Sequence, residues 1–180
     1  MIVVSENIHL KEITLSDSIQ LKRLMQEVYT PAYKHFWKDQ GDWYVNSQYS
    51  NQHIKKELLE ENTDYYFVVF KDEIIGNFRI LWDKKLKGLE GKKAVKLHRV
   101  YLHPKTHGKG IGKSLLSWLE GTAKQKGYEI IWLDAMNEQS QAFQFYNKQG
   151  YLYHSHCFLD FELLHNNVRK MSQFYKEITL

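Results

Sequence analysis

The run Val100-Tyr101-Leu102-His103-Pro104-Lys105-Thr106-His107-Gly108-Lys109-Gly110-Ile111-Gly112-Lys113-Ser114 constrains this chain more than any other segment. It reads as the end of a strand, a glycine-rich turn and the start of a helix. Gly108, Gly110 and Gly112 alternate with basic or apolar residues just before an amphipathic stretch. Main-chain N–H groups can therefore converge on an anion with no Cβ in the way. That geometry suits a pyrophosphate.

The elements around the turn follow from hydrophobic spacing. Ile8 to Ile13 alternates as a short strand, and Leu21, Leu24, Met25 and Val28 fall at helical spacing after a capping signal from Thr14 to Asp17. Aromatics crowd between Tyr29 and Tyr49 without a sustained period, and Ile54, Leu58 and Leu59 mark a further helix. Tyr65 to Phe70 and Ile74 to Trp82 form a hairpin about Lys71-Asp72-Glu73, and a charged loop runs from Asp83 to Lys93, its Lys84 to Lys93 run read as solvated. Ala94 to Leu102 is a third strand, whose alternation sends His98, Val100 and Leu102 to one face. Ile111, Leu115, Leu119 and Ala123 make a helical stripe closed by Gly127, and Ile130 to Leu133 is a buried strand. Such a crossover implies that the two strands are parallel. A short helix through Ala142, Phe143 and Tyr146, a strand from Tyr151 to Phe161, a turn at His165-Asn166-Asn167 and a last strand from about Val168 to Glu177 complete the order. The expectation is an α/β (α+β) fold with a mixed, mostly antiparallel central sheet of about seven strands flanked by helices, in a single domain over residues 1–180.

Three glycine-rich motifs compete for the turn. A Walker A loop needs glycine at the position of His107, ahead of Gly112-Lys113-Ser114, although Ile131-Trp132-Leu133-Asp134 imitates a Walker B strand. The dinucleotide pattern G-x-G-x-x-G fails at Lys113 when started from Gly108 and at Leu115 when started from Gly110. The pattern Gln/Arg-x-x-Gly-x-Gly/Ala is matched by His107-Gly108-Lys109-Gly110-Ile111-Gly112 except at its first position. Through this segment the chain resembles the GNAT superfamily of acyl-CoA-dependent N-acyltransferases. Leu97 to Pro104 looks like the family's fourth strand, and Ala142-Phe143-Gln144-Phe145-Tyr146-Asn147-Lys148-Gln149-Gly150-Tyr151 looks like its A-x-x-F-Y-x-x-x-G-[FY] signature. Asn137 has the family's expected position as well. The segment before Asn62 carries no specific motif.

The resemblance implies a site. Val100, Tyr101 and Leu102 would lie along the pantetheine arm, their main chain splayed from the neighbouring strand so that it can polarise a thioester carbonyl. His107, Gly108, Lys109, Gly110, Ile111, Gly112 and Lys113 would hold the pyrophosphate. His107 replaces the usual Gln or Arg with a poorer hydrogen-bond donor, so Lys109 and Lys113 supply the positive charge. Asn137, Phe143 and Tyr146 would complete the cofactor side. Tyr146 is the expected general acid, set to protonate the CoA thiolate, and the alternative is a plain core aromatic. His98 is the expected general base, direct or through water, against a structural histidine. The aromatic segment from Tyr29 to Tyr49 falls where the family builds its acceptor pocket, and serves either an amine or simple packing.

These residues imply an N-acetyltransferase that moves an acetyl group from acetyl-CoA, as cosubstrate, to a small-molecule or peptide amine by direct attack in a ternary complex. The rivals are a non-catalytic acyl-CoA-binding sensor or interaction domain and a nucleotide-binding regulator. No metal is expected: His98 and His103 fall on opposite faces of a regular strand, and His154 with His156 lacks a carboxylate or thiolate partner. A formal charge of +4 on 180 residues is too mild for a nucleic-acid binder, and no apolar run is long enough to span a bilayer. The lone Cys157, read as a half-buried strand residue, fits a reducing, cytoplasmic setting. The final strands would suit a homodimer, though no residue demands one.

Overall fold

The computed structural model describes residues 1–178. Its strands are β1 (Ile2–Ser5), β2 (Ile8–Glu12), β3 (Thr63–Phe70), β4 (Glu73–Leu81), β5 (Ala94–Leu102), β6 (Ile130–Met136), β7 (Leu152–Phe158) and β8 (Lys170–Glu177). The helices are α1 (Ser18–Tyr33), α2 (Asp42–Gln48), α3 (Asn51–Leu58), α4 (Ile111–Gln125) and α5 (Ser140–Lys148). One sheet holds all eight strands in the order β1-β2-β3-β4-β5-β6-β8-β7. Only β5 and β6 run parallel, joined by α4. The strand beyond the expected seven is β1, a short edge piece that folds back on β2 and leaves Val3 exposed.

Two apolar layers cover the two faces. Ile111, Leu115, Leu116, Leu119 and Ala123 of α4 bury a stripe against Phe78, Ile80, Val95 and Leu97. On the opposite face Leu21, Met25 and Val28 of α1 pack with Val45 of α2, Ile54 of α3 and Phe67. Each such aliphatic side chain contributes roughly 1.5–3 kcal/mol when fully buried. The two layers fix the sheet between them, so a change of strand register would carry polar groups into one layer or the other.

That makes the irregularity in β5 consequential. Arg99 lies opposite Arg79 and Leu97 opposite Ile80, which leaves His98 as an extra residue in a β-bulge. The alternation expected from the sequence is therefore broken. Val100 and Leu102 pack with Leu97 in the α4 layer, whereas His98 bonds to Arg79, and Arg99 and Tyr101 join the opposite face. His98 and Val100 do not share a face.

Three smaller expectations also change. The strand expected to run to Phe161 stops at Phe158, because the chain leaves the sheet and Leu164 bridges to Trp37. Cys157, on that outer strand, is exposed rather than half-buried. The loop before β5 is not simply solvated: Leu86 is fully buried with Ala94, Ile130 and Trp132, and the Lys84 carbonyl accepts a hydrogen bond from the Trp132 indole at 2.7 Å.

Candidate functional site

Pro104–Thr106 forms a single helical turn after β5, and Thr106 is buried with its hydroxyl donating to the His103 carbonyl at 2.6 Å. This turn anchors the glycine segment. Gly108 and Gly110 then adopt φ of +77° and +76°, where an L side chain is strained, and a Cβ on either would meet nothing within 4 Å. The requirement for glycine there is one of backbone conformation, with open space outside. Gly112 is different: a Cβ would come within 3.1 Å of the Phe145 ring, so α4 and α5 approach closely at that point. Ser114 N–H donates to the Gly110 carbonyl, closing the first turn of α4. The N–H groups ahead of it point outward, as at any helix start. Around them, His107 and Lys113 are exposed, and the Lys109 ammonium sits 5.7 Å from the Phe70 ring centre.

Beside this turn the sheet opens. β5 and β6 pair only over Ala94–Leu97 and Ile130–Leu133, although both strands continue past those residues. The bulge at His98 falls immediately beyond the last pair and bends β5 away. His103 N–H donates to Ile75, and the Tyr101 carbonyl lies so close to Gly76 that a Cβ there would meet it at 2.1 Å. Tyr101 and His103 therefore direct these main-chain groups at β4. By two-residue alternation, Val100 and Leu102 turn theirs into the opening.

A cavity of about 290 Å³ lies at this opening, between Val100, Asp134, Tyr146 and a set of aromatic rings. Tyr29 stacks on Tyr33 at 4.6 Å and on Tyr44 at 4.4 Å between ring centres, and the Trp37 indole donates to the Tyr29 hydroxyl at 2.9 Å. Burial pushes the Tyr33 phenol up to about 12 and Tyr29 higher still, so these rings face the cavity uncharged. Gln139 donates to the Ala32 carbonyl at 3.2 Å and ties the start of α5 to α1 across the mouth.

Tyr146 lines the same cavity from α5. Burial drives its phenol well above the ordinary value, so the proton stays on oxygen at neutral pH. Phe143, one turn earlier, packs edge-on against Phe174 at 4.8 Å and supports Tyr146 from behind. Asn137 accepts from the buried Ser172 hydroxyl at 3.1 Å, and its main-chain N–H donates to Lys170. It holds the turn between β6 and α5 to β8.

His98 stands at the far end of the cavity among groups that the spacing of residues did not announce. Its Nδ1 lies 2.7 Å from an Arg79 guanidinium nitrogen, which can only donate, so Nδ1 accepts and the proton resides on Nε2. Burial, reinforced by the charges of Arg99, Arg79, Lys96 and Lys84, pushes His98 from 6.5 down to about 2. It is a neutral imidazole across the working range of pH. Arg79 and Arg99 face each other directly across β4 and β5, an arrangement that repels. Glu57, reaching in from α3, holds them together, with Oε2 2.6 Å from Arg99 and Oε1 3.4 Å from Arg79. Glu60 binds Arg79 at 2.6 Å, and Arg99 also donates to the Tyr65 hydroxyl and lies over the Tyr49 ring at 4.7 Å. Lys96 and Asp134 pair at 2.5 Å between the two strands where they part.

Of the residues singled out in the sequence, Val100, Tyr101, His98 and Tyr146 line one cavity, and the glycine turn adjoins its strand. Asn137 and Phe143 act from its supporting walls. Arg79, Arg99, Glu57, Lys96 and Asp134 were missed. For Arg79, Lys96, Arg99 and Asp134 the one signal was a charged residue set among the apolar residues of a strand, whereas Glu57, on the polar helix α3, carried none.

Comparison with known proteins bears on the same elements. The model of the acetyltransferase (GNAT) family matches residues 22–151. A spermidine N(1)-acetyltransferase of Thermoplasma acidophilum is 28% identical over 152 residues, covering 81% of this chain and 88% of that protein. An uncharacterized N-acetyltransferase of Methanocaldococcus jannaschii is 25% identical over 125 residues, which are 69% of this chain. The match spans only 54% of that relative's length. Among solved structures, the PaiA N-acetyltransferase from Thermoplasma acidophilum in complex with coenzyme A superposes with a TM-score of 0.68, covering 94% of this chain and 98% of that one at 19% identity.

Proposed function

Since this chain belongs to the acetyltransferase (GNAT) family and is an acyltransferase, we propose that it moves an acetyl group from acetyl-CoA to a primary amine by direct attack in a ternary complex. The observation that carries this reading is the opening between β5 and β6, with the free main chain of Val100 and Leu102 along one side and the glycine turn beside it. The residues fit such a cosubstrate. Positive-φ Gly108 and Gly110 leave space for a pyrophosphate against the N–H groups of Ile111, Gly112 and Lys113, and Lys109 and Lys113 add positive charge. Val100 and Leu102 offer a strand edge to an extended amide chain, and Tyr101 between them lines the cavity.

Acetyl-CoA supplies the thioester. Main-chain N–H groups of β5 stabilise negative charge on its carbonyl oxygen while the amine nitrogen forms the new C–N bond. As the C–S bond breaks, Tyr146 gives its proton to the departing thiolate and recovers one from solvent. The surplus proton on the amine leaves to water. His98 does not take it: with Nδ1 engaged by Arg79, it presents Nε2–H to the cavity as a donor that orients the acceptor. The cations that hold His98 neutral also disfavour an ammonium beside them, so they lower the acceptor's own pKa and favour the nucleophilic free amine.

The test is thermal stabilisation by acetyl-CoA, CoA and ATP, followed by thiol release with a panel of primary amines. Stabilisation by the two CoA species and not by ATP, with release by at least one amine, is the expected result. Absence of any shift with acetyl-CoA overturns the proposal.

A further inference from the structure

Beyond His98 the cavity continues. A second cavity of about 620 Å³ is bounded by α3 and the loop after β4, and it shares Gln48, Lys96, His98 and Arg99 with the first. Its walls carry five cationic side chains, Lys56, Arg79, Lys84, Lys96 and Arg99, against two carboxylates, Glu57 and Glu60. Both carboxylates are already engaged by the arginines, and Asp134 next door is engaged by Lys96. Lys56 and Lys84 have no ion-pair partner among the described residues. Arg79, 1% exposed, also keeps its Nε buried with no hydrogen-bond partner. The field is felt at the junction, where Arg99, Arg79, Lys96 and Lys84 all act with burial to keep His98 unprotonated.

We infer that the acceptor is a small amine whose far end carries an oxyanion, a carboxylate or a phosphate, seated against Lys56, Lys84 and the arginine pair in the second cavity. The inference rests on the acetyl-transfer reading and sharpens its acceptor. A polyamine would place its remote ammonium groups where every carboxylate is spent and two cations stand unneutralised, which is the wrong sign for binding. An anionic tail reverses that sign, and it sets the amine at the aromatic end near Tyr146 and Val100. This separates the chain from its Thermoplasma relative, which is named for spermidine.

The experiment uses matched acceptors of equal length: β-alanine, γ-aminobutyrate and ε-aminocaproate, each beside its neutral amide and its diamine. Phosphoethanolamine and its longer homologues are added to tell phosphate from carboxylate. Thiol release is measured over acceptor concentration. The expected result is that, at one chain length or more, an oxyanion-bearing amine exceeds the amide, and the amide exceeds the diamine, with about tenfold in kcat/KM from first to last. The variant Lys56→Gln, altered only at an exposed position that does not act on His98, should raise KM for that anion about threefold and move KM for its amide much less. A diamine or amide equal to the anion at every length overturns the inference, as does an unchanged KM for the anion in Lys56→Gln. Either result leaves acetyl transfer intact, and so does cofactor binding without release from any anionic amine, which overturns the inference alone. Lack of stabilisation by acetyl-CoA overturns both readings.

Discussion

The turn from Gly108 to Lys113, which follows β5, and the wall formed by α1, α2 and α3 are built on different principles. The turn is main chain: two positive-φ glycines, a helix start and a strand edge, contiguous in sequence and indifferent to most side chains. The wall is side chain: stacked tyrosines and a buried cluster in which Glu57 joins two arginines from separate strands. A site made from main chain can accept one constant partner, whereas a site made from side chains can be retuned residue by residue. The difference also predicts where the molecule is brittle.

The largest effect should follow Glu57→Ala. It leaves Arg79 and Arg99 facing each other with one shared carboxylate removed, and breaking such a buried pair costs about 3–5 kcal/mol. Urea denaturation measures it, and a loss below about 1 kcal/mol would mean that the wall is not held by charge. Next in size is Tyr146→Phe, which should lower kcat about a hundredfold with acetyl-CoA affinity within about twofold. Steady-state kinetics with calorimetry check the split, and equal activity would retire the acid role.

Gly110→Ala should cost about 1–2 kcal/mol, from αL strain alone, since the added Cβ meets nothing in the protein. If the turn holds the pyrophosphate as proposed, the same variant should lose stabilisation by acetyl-CoA disproportionately, because the added Cβ would stand in the open space outside the turn. Thermal melts with and without the ligand separate the two terms. An effect of about the same size as that of Gly110→Ala is one of pH. His98 is about 2 in the folded chain and 6.5 unfolded, so the unfolded chain binds the extra proton between those values and stability falls as pH drops below about 6.5. The slope attributable to it is about 1.4 kcal/mol per pH unit. His98→Asn should flatten the stability curve between pH 6 and 4.5 by about that amount, and an unchanged slope would place the imidazole outside the cluster. Activity, in turn, should show no inflection near 6.5 that disappears in this variant.

The same contrast explains what could be read from the sequence. The glycine turn and the Ala142 to Tyr151 signature are local, so spacing located the turn and the order of elements around it, and resemblance to the family located the signature. The cluster of Glu57, Arg79 and Arg99 joins residues on three elements, and nothing in one residue's neighbours announces the others. The bulge at His98 was illegible for a sharper reason. Alternation read along β5 is a property of one strand, but a bulge is a property of two strands counted against each other. Thus His98 was assigned to the face of Val100, and only pairing with β4 corrects it. The strand Ile2–Ser5 is a similar case, because four residues with an exposed Val3 gain meaning only from their partner β2.

One feature, the extra residue in β5, bears on how such a cleft could arise. Because His98 is absorbed as a bulge, Arg99, Val100, Tyr101 and Leu102 keep the faces they would have in a regular strand one residue shorter. Loss of the single codon for His98 would therefore leave both apolar layers satisfied and remove the bend, allowing β5 to continue its pairing with β6 past Leu97. By this route the open or closed state of the sheet is heritable as a count of residues, and a one-residue insertion would suffice to part a continuous sheet.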